Sequence, residues 1–339
     1  MGRRGGTNAF AGSWLAWQPI SYRTREEPML DLDLATLVAP HTIEGFLGGE
    51  WPRDPYISVE SEERVAAFAE AVPELNSAEA LLSGWQDRVS LMSPKGFRAS
   101  VPDGRSALPF LHQGFTCYLR NLENHIPVLS SLLDNVAVQL GVPRKYLICE
   151  VFCSEGESGV AMHSDYDHNF ALLLRGAKRW TYSRNTHIRH ATNTIIGGDR
   201  PQRDLRQLEF ATSLPLPHKQ ADDAYDVTVR GGGMVFLPRD WWHQTQAIGE
   251  CMQLNVAVKG PMWLTVFQES LTEMLLPDVE WRDMAYGIVG DDTSREAALA
   301  TFAELIGRFR KETSGDSDLE LATRLIEAAG YGREVTPDA

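Results

Sequence analysis

The sequence predicts a mainly β core with helices: an antiparallel sandwich or barrel between a helical N-terminal lead-in and a helical C-terminal tail. Short apolar or β-branched runs, separated by Gly, Pro and charged residues, fill the middle of the chain. Apolar residues recur at three- and four-residue spacing in the segments that precede and follow those runs. No stretch approaches 18 continuous apolar residues, so we expect no membrane span.

The predicted elements can be justified in chain order. Residues 1–30 mix Gly, Arg, Trp and Pro without periodicity, and we expect them to be extended or partly disordered. Helical patterns then begin beside the capping residues Ser61 and Ser77, and a helix over 127–140 is expected to end at Gly141. The predicted strands lie in YLICEVFCS, NFALLLRGAKRWTYS, YDVTVRGGGMVFLP and MQLNVAVKG.

The tail contains three amphipathic segments, LTVFQESLTEMLL, SREAALATFAELIGRFRKE and DLELATRLIEAAG. We therefore predict three regions: an N-terminal segment over 1–30, a catalytic domain with the β core over 31–263, and a helical region over 264–339. Homodimerisation through its helices is the expected use of the helical region.

Composition excludes some classes of function. The 339 residues include 32 Lys and Arg against 46 Asp and Glu, a formal net charge of -14, so a general nucleic-acid-binding surface is not indicated. Such an acidic surface favours cationic substrates. The four cysteines form no CxxC pair and no dense secreted-type spacing, which predicts reduced thiols and a cytoplasmic location.

A candidate metal site lies in the segment MHSDYD. On a strand, residues i and i+2 point to the same face, so His163 and Asp165 can direct an imidazole and a carboxylate at one point. The best third ligand is His243, which follows the Gly-turn strand in GGGMVFLPRDWWHQT. Two His and one carboxylate form the facial triad that holds Fe(II) with open positions. HxD alone is common by chance, but the lysine-containing apolar strand after it and the distant WWH strengthen the hypothesis.

These residues resemble a known family, the JmjC-type, cupin-fold oxygenases that use Fe(II) and 2-oxoglutarate. HxD is followed by GAKRW, which places Lys178 15 residues after His163, as in the branch of asparaginyl hydroxylases and ribosomal oxygenases. The resemblance covers residues 40 to 265. It implies a double-stranded β-helix (jelly-roll) core, and Fe(II), 2-oxoglutarate and O2 as cofactor and cosubstrates.

The resemblance also implies roles for individual residues. Lys178 would form an ion pair with the distal carboxylate of 2-oxoglutarate, while Asn169 and Asn255 would line the cosubstrate site and Tyr118 would point into it. One departure from the pattern is Val160, which stands where the branch often has Thr or Ser.

A different hydroxyl partner for the cosubstrate carboxylate is therefore expected, either Tyr182 or Thr181. Asp167 is expected to lie past the metal, towards the substrate, and His168 to be a structural or substrate-side group. Trp241 and Trp242 are expected to form a hydrophobic wall around His243.

The leading functional hypothesis is hydroxylation of an amino-acid side chain in a protein or peptide, since the resembling branch mostly does this. Hydroxylation of a small molecule or a carrier-bound amino acid and demethylation of a methyl-lysine are alternatives that use the same site. A non-catalytic, cupin-like binding protein is a fourth reading. The intact set of three ligands and Lys178 disfavours a non-catalytic protein, because a protein that loses catalysis usually loses a metal ligand as well.

Overall fold

The computed structural model describes residues 32–93 and 97–331, so the predicted extended segment over 1–30 lies outside the described residues. Helices dominate the part of the chain before the long strands, as predicted. These are α1 (Leu34–Val38), α2 (Ile43–Gly48), α3 (Glu62–Ala71), α4 (Ala78–Gly84), α5 (Gly104–Leu111) and α6 (Pro127–Leu140).

The predicted capping signals work as expected. Ser61 and Ser77 are the N-caps of α3 and α4, where each hydroxyl accepts a hydrogen bond from a backbone N–H three residues later. The helix α6 ends at Gly141, whose φ of 65° is the left-handed conformation that favours glycine at a helix end. Local sequence signals therefore set these helix boundaries.

Antiparallel strands form the core. The strands are β1 (Tyr56–Ser58), β2 (Val89–Met92), β3 (Arg98–Val101), β4 (Thr116–Arg120), β5 (Leu147–Ser154), β6 (Gly159–Ser164), β7 (His168–Arg184), β8 (Ile195–Ile196), β9 (Tyr225–Arg230), β10 (Met234–Leu237) and β11 (Trp241–Val258). The four predicted runs are all strands. The strands β1 to β4 and β8 were not predicted, because runs of two to five residues carry too little alternation to separate them from loops.

Two long strands organise the sheet. β7 and β11 pair along almost their whole length, from Trp241 opposite Arg184 to Val258 opposite His168. On its other side, β11 pairs with β6 near its start and with β5 near its end, while β7 pairs with β9 and β10. The predicted fold class, a mainly β core of the jelly-roll type between helical flanks, is confirmed.

An irregularity in the β7–β11 ladder changes which residues of β7 face inward. The register shifts between Ile248 and Gln253, opposite Gly176. Before it, the odd-numbered Leu173 packs in the same cluster as the even-numbered Trp180 after it. Plain alternation would put those two side chains on opposite faces, so the irregularity lets both halves of β7 contribute to one interior surface.

Gly176 is required at this irregularity. Its φ is 76°, and a Cβ there would lie 1.9 Å from the carbonyl oxygen of Glu250. We expect Gly176→Ala to lower the free energy of unfolding by about 2 kcal/mol or more, because left-handed strain and a backbone clash add. Gly249→Ala is the matched control, since Gly249 has a φ of 73° with open space around its Cβ position. Equal losses for both variants in urea unfolding would mean that the close approach to Glu250 is unimportant.

Two apolar clusters cover the two faces of the central strands. The larger one joins the lead-in helices and α6 to the sheet and includes Phe46, Phe170, Phe236 and Leu254, all almost completely buried. The smaller cluster lies on the opposite face, around Trp180. The sheet is therefore fixed on one side by helices, which leaves its other side free to form a site.

The tail is helical, as predicted. It contains α7 (Trp263–Leu275), α8 (Asp292–Glu312) and α9 (Asp318–Ala328). Among the described residues, no helix is both long enough and apolar enough to cross a bilayer. All four cysteines are unpaired and buried, and Cys149 and Cys153 lie on β5 as expected.

Candidate active site

The three predicted metal ligands come together in the structure. His163 lies on β6 directly opposite His243 on β11, and Asp165 follows the end of β6 by one residue. The Asp165 Oδ2 atom is 3.4 Å from His163 Nε2 and 3.5 Å from His243 Nε2. One ligand atom from each residue lies within 4.8 Å of the others. Three groups that bind divalent transition metals therefore converge on one point.

Backbone contacts fix the protonation of both histidines. The Nδ1 atom of His163 is 2.8 Å from the carbonyl oxygen of Ala161, and Nδ1 of His243 is 3.2 Å from that of Trp241. A carbonyl oxygen can only accept, so Nδ1 carries the proton in each ring and donates it. This leaves both Nε2 lone pairs directed at the centre of the cluster, the arrangement in which imidazole binds a metal.

The carboxylate is held from its other side. Thr194 Oγ1 donates a hydrogen bond of 3.0 Å to Asp165 Oδ1, which leaves Oδ2 to face the two imidazoles. Burial alone would raise the pKa of Asp165, but the adjacent His163 and His243 hold it well below its usual range. Asp165 is therefore ionised and presents a negative charge to the two imidazoles.

The cluster opens into a cavity of about 470 Å³. All seven residues predicted for the site line this cavity: Tyr118, His163, Asp165, Asn169, Lys178, His243 and Asn255. Strands β4, β6, β7 and β11 supply most of them.

Lys178 is a buried cation in this cavity. The residue is only 3% exposed, and its Nζ donates a hydrogen bond of 2.8 Å to Gln253 Oε1. Its Nζ also lies 5.5 Å and 5.7 Å from the ring centroids of Phe152 and Trp180. Among the described residues no carboxylate pairs with it, and burial lowers its pKa from 10.5. A buried ammonium with one neutral partner fits an anionic ligand.

Side-chain amides connect Glu150 to the carboxylate of Asp165 across the cavity wall. Asn255 Nδ2 donates to Asn169 Oδ1 at 2.7 Å, and Asn169 Nδ2 approaches Asp165 Oδ2 at 3.5 Å. Asn255 also approaches Glu150 Oε2 at 3.4 Å, and the hydroxyl of Tyr118 donates to the other oxygen of Glu150. These contacts orient both amides, so Asn169 and Asn255 present fixed groups to the cavity.

The prediction that Tyr182 or Thr181 supplies a hydroxyl group to the cosubstrate is wrong. Thr181 points away from the cavity and donates a hydrogen bond of 3.2 Å to Asp226, while Tyr182 stacks on an aromatic ring of β9. Neither residue lines the cavity. Thr245 does, and its Oγ1 accepts a hydrogen bond of 3.3 Å from the backbone N–H of Val160. Side chains two residues apart on a strand share a face, so the position of Thr245 relative to His243 on β11 would have identified it.

The two neighbours of the triad behave differently from each other. Asp167 lines the cavity but is outside the cluster of metal-capable atoms, and its Oδ1 accepts a hydrogen bond of 3.2 Å from Asn169. Burial, followed by nearby carboxylates, raises its pKa to about 8. His168 is packed against the ring of Trp51, and burial lowers its pKa to about 4. His168 is therefore a neutral structural group.

Trp241 and Trp242 do not form a common wall around His243. Trp241 belongs to the cluster around Trp180, whereas Trp242 packs with Ile195 in a third cluster. Neither tryptophan lines the cavity. The aromatic ring beside the third ligand is that of Trp180, 5.9 Å from His243 and nearly parallel to it.

Sequence reasoning missed four polar contacts of the site. Gln253 and Thr245 each lie two residues from a predicted site residue on β11, and Glu150 is a charged residue in an apolar strand, so each had a signal. Thr194 lies just before the two-residue strand β8, in a long polar segment, where nothing in the sequence distinguishes it.

Residues 132–266 match the family described as JmjC domain. The uncharacterized protein YxbC of Bacillus subtilis (strain 168) is 21% identical over 260 residues, covering 74% of this chain and 78% of that protein. YcfD, a ribosomal oxygenase from Escherichia coli, in complex with cobalt and 2-oxoglutarate, is 14% identical with a TM-score of 0.47; the alignment covers 86% of this chain and 71% of that one. Another structure of E. coli YcfD has a TM-score of 0.46 at 14% identity, covering 78% and 68%.

Proposed function

We propose that this chain, whose residues 132–266 match the JmjC-domain family, is a 2-oxoglutarate-dependent oxygenase that hydroxylates an amino-acid side chain in a protein or peptide. The observation that carries the proposal is the shared cavity. The two imidazoles and the carboxylate of the triad line the same cavity as the buried ammonium of Lys178, which has no carboxylate partner among the described residues. A metal site and an anion site that open into one space suit a metal-bound, dianionic cosubstrate.

The residues fit both groups. His163, Asp165 and His243 would hold Fe(II) through two Nε2 atoms and one carboxylate oxygen, and Lys178 would pair with the distal carboxylate of 2-oxoglutarate. Bound Fe(II) supplies the activation of O2 that couples decarboxylation of 2-oxoglutarate to hydroxylation of the substrate. The products are succinate, carbon dioxide and the hydroxylated side chain, with one oxygen atom of O2 in succinate and the other in the new hydroxyl.

The remaining residues of the cavity position these groups. Thr194 holds Asp165 by one oxygen, so that the other stays directed at the two imidazoles. Gln253 holds the ammonium of Lys178 at the closed end of the cavity. The ring of Trp180 lines the cavity beside both groups, 5.7 Å from Lys178 Nζ and 5.9 Å from the ring of His243.

Anaerobic titration with Fe(II) and 2-oxoglutarate tests the cosubstrate assignment. The bidentate complex should give a weak visible charge-transfer band, and folded protein without this band would contradict the assignment.

The substrate class needs a second measurement: mass spectrometry of peptides and free amino acids for an added oxygen atom, coupled to succinate formation. Oxygen addition to free amino acids alone would favour a small-molecule hydroxylase, and loss of a methyl group from a methylated peptide would favour demethylation.

We also propose that the helical tail forms a homodimer. The helix α8 has no buried residue, although Leu299, Phe302 and Ile306 follow one another at helical spacing. Trp263 at the start of α7 is 84% exposed. Monomeric proteins rarely expose contiguous apolar surface of this kind, and a second copy offers the same apolar stripe in return.

Dimerisation predicts a mass in light scattering of twice the 37.8 kDa of one chain. Phe302→Asp should shift the protein to the monomer, because it places a charge in the centre of the apolar stripe. Leu205→Asp is the control, since Leu205 is also exposed but lies outside the tail. A wild-type monomer, or a dimer that survives the Phe302 change, would contradict this assembly.

A further inference from the structure

Two arginines stand at the opening of the active-site cavity. Arg98 lies at the start of β3, and Arg203 lies in the long segment between β8 and β9. Both line the cavity that contains the triad. We propose that Arg98 and Arg203 together bind a carboxylate of the primary substrate and thereby select acidic peptides; this proposal rests on the proposed function.

The charges of these arginines are uncompensated within the described part of the chain. Neither guanidinium has an ion-pair partner there, whereas Arg120 in the same cavity lies 3.5 Å from Glu150. Lys178 is separated from them in function, because it is buried at the closed end and pairs with Gln253. Lys259 also lines the cavity without an ion pair among the described residues, but it acts on the carboxyl groups of Glu150 and Asp167. Arg98 and Arg203 are therefore two cations of the cavity that remain available to an entering substrate.

The two guanidinium groups line the same cavity and repel each other. Burial, and then the positive charge of Arg203, lower the pKa of Arg98, while the carboxylate of Asp165 opposes this effect. Two adjacent like charges at a partly desolvated position are stabilised when an anion lies between them.

Carboxylate is the anion that an unmodified peptide offers, and it suits this pair. Each guanidinium presents a planar fork of N–H donors that matches the two oxygens of a carboxylate. The carboxylate can belong to an acidic side chain or to the C-terminus of a peptide. This conclusion reverses the expectation from net charge alone: the surface as a whole favours cations, but the opening of the cavity favours an anion.

Binding of labelled peptide pools under anaerobic conditions tests the proposal without turnover. Wild-type protein loaded with Fe(II) and 2-oxoglutarate is titrated with three fluorescein-labelled random heptapeptide pools, and binding is followed by polarisation. The first pool contains Asp and Glu with an amidated C-terminus, the second replaces them by Asn and Gln, and the third is the second pool with a free C-terminal carboxylate. We expect the first or third pool to bind about tenfold more tightly than the second, since charged hydrogen bonds exceed neutral ones by about this factor. The better of the two identifies the source of the carboxylate.

Arg98→Gln and Arg203→Gln should each reduce this preference by about tenfold, and Arg230→Gln should leave it unchanged. Arg230 is the matched control because it is exposed on β9 and does not line the cavity. Equal binding of all pools by the wild-type protein, or an acidic preference that survives in both glutamine variants, overturns the proposal. The charge-transfer band is recorded in the same samples: its absence counts against the proposed function, and its presence without acidic preference counts against the arginines alone.

Discussion

His163→Ala and Asp165→Ala should each abolish the charge-transfer band of the Fe(II) and 2-oxoglutarate complex and lower hydroxylation by about a thousandfold or more. Each change removes one of three groups that converge within 4.8 Å. Loss of the metal removes several kcal/mol of stabilisation of the transition state, at about 1.4 kcal/mol per tenfold in rate. The measurement is the band itself, followed by succinate formation in air.

The matched control for this experiment is Asp167→Asn. Asp167 lines the same cavity two residues from Asp165, but its carboxylate is directed at Asn169 rather than at the two imidazoles. An amide preserves its shape and can keep that contact, so the band should persist. A band that survives Asp165→Ala and disappears in Asp167→Asn would mean that Asp167 is the carboxylate ligand.

Lys178→Met should raise the dissociation constant of 2-oxoglutarate by about 10- to 100-fold while the metal site stays intact. The ammonium is buried with a single neutral partner, so its removal deletes one charge-assisted hydrogen bond to the cosubstrate, about 1.5–3 kcal/mol. Direct titration of Mn(II)-loaded protein with 2-oxoglutarate measures the effect. Lys219→Met, a change at a surface lysine with 81% side-chain exposure, is the control.

Two further readouts separate a binding role of Lys178 from a structural one. Replacing a buried, unpaired cation by methionine should leave the free energy of unfolding unchanged or increase it, because a desolvation penalty disappears. In the wild-type protein, affinity for 2-oxoglutarate should fall as pH rises, beginning below 10.5, because burial lowers the pKa of Lys178 and only the charged form binds the carboxylate. A variant that unfolds readily and binds 2-oxoglutarate normally would exclude the assigned role.

The metal site could be predicted from the sequence because its three residues lie on or beside strands whose side-chain directions are simple. Even there the reasoning was only partly right: β6 ends at Ser164, so Asp165 reaches the site from the residue after the strand. The hydrogen bond from Thr194 to Asp165 and the backbone contact of the His163 ring depend on tertiary packing. Strand alternation does not describe such contacts.

Lys178 and Asn169 show where alternation fails. They are nine residues apart on β7, so strict alternation places them on opposite faces, yet both line the cavity. The irregularity at Gly176 reverses the alternation between them. A single glycine in GAKRW is not enough to predict a shift in register. The family resemblance therefore placed Lys178 in the cavity, which periodicity could not do.

The length of β11 has a consequence for regulation of the site. The strand carries His243 and Thr245 near its start and Gln253 and Asn255 near its end, so one continuous backbone supports both the proposed metal ligand and the groups proposed to contact the cosubstrate. A displacement along this strand alters both sets of groups together, and binding free energies that depend on one strand position are reciprocal. Loading of metal should therefore change the affinity for 2-oxoglutarate by the same factor by which 2-oxoglutarate changes the affinity for the metal.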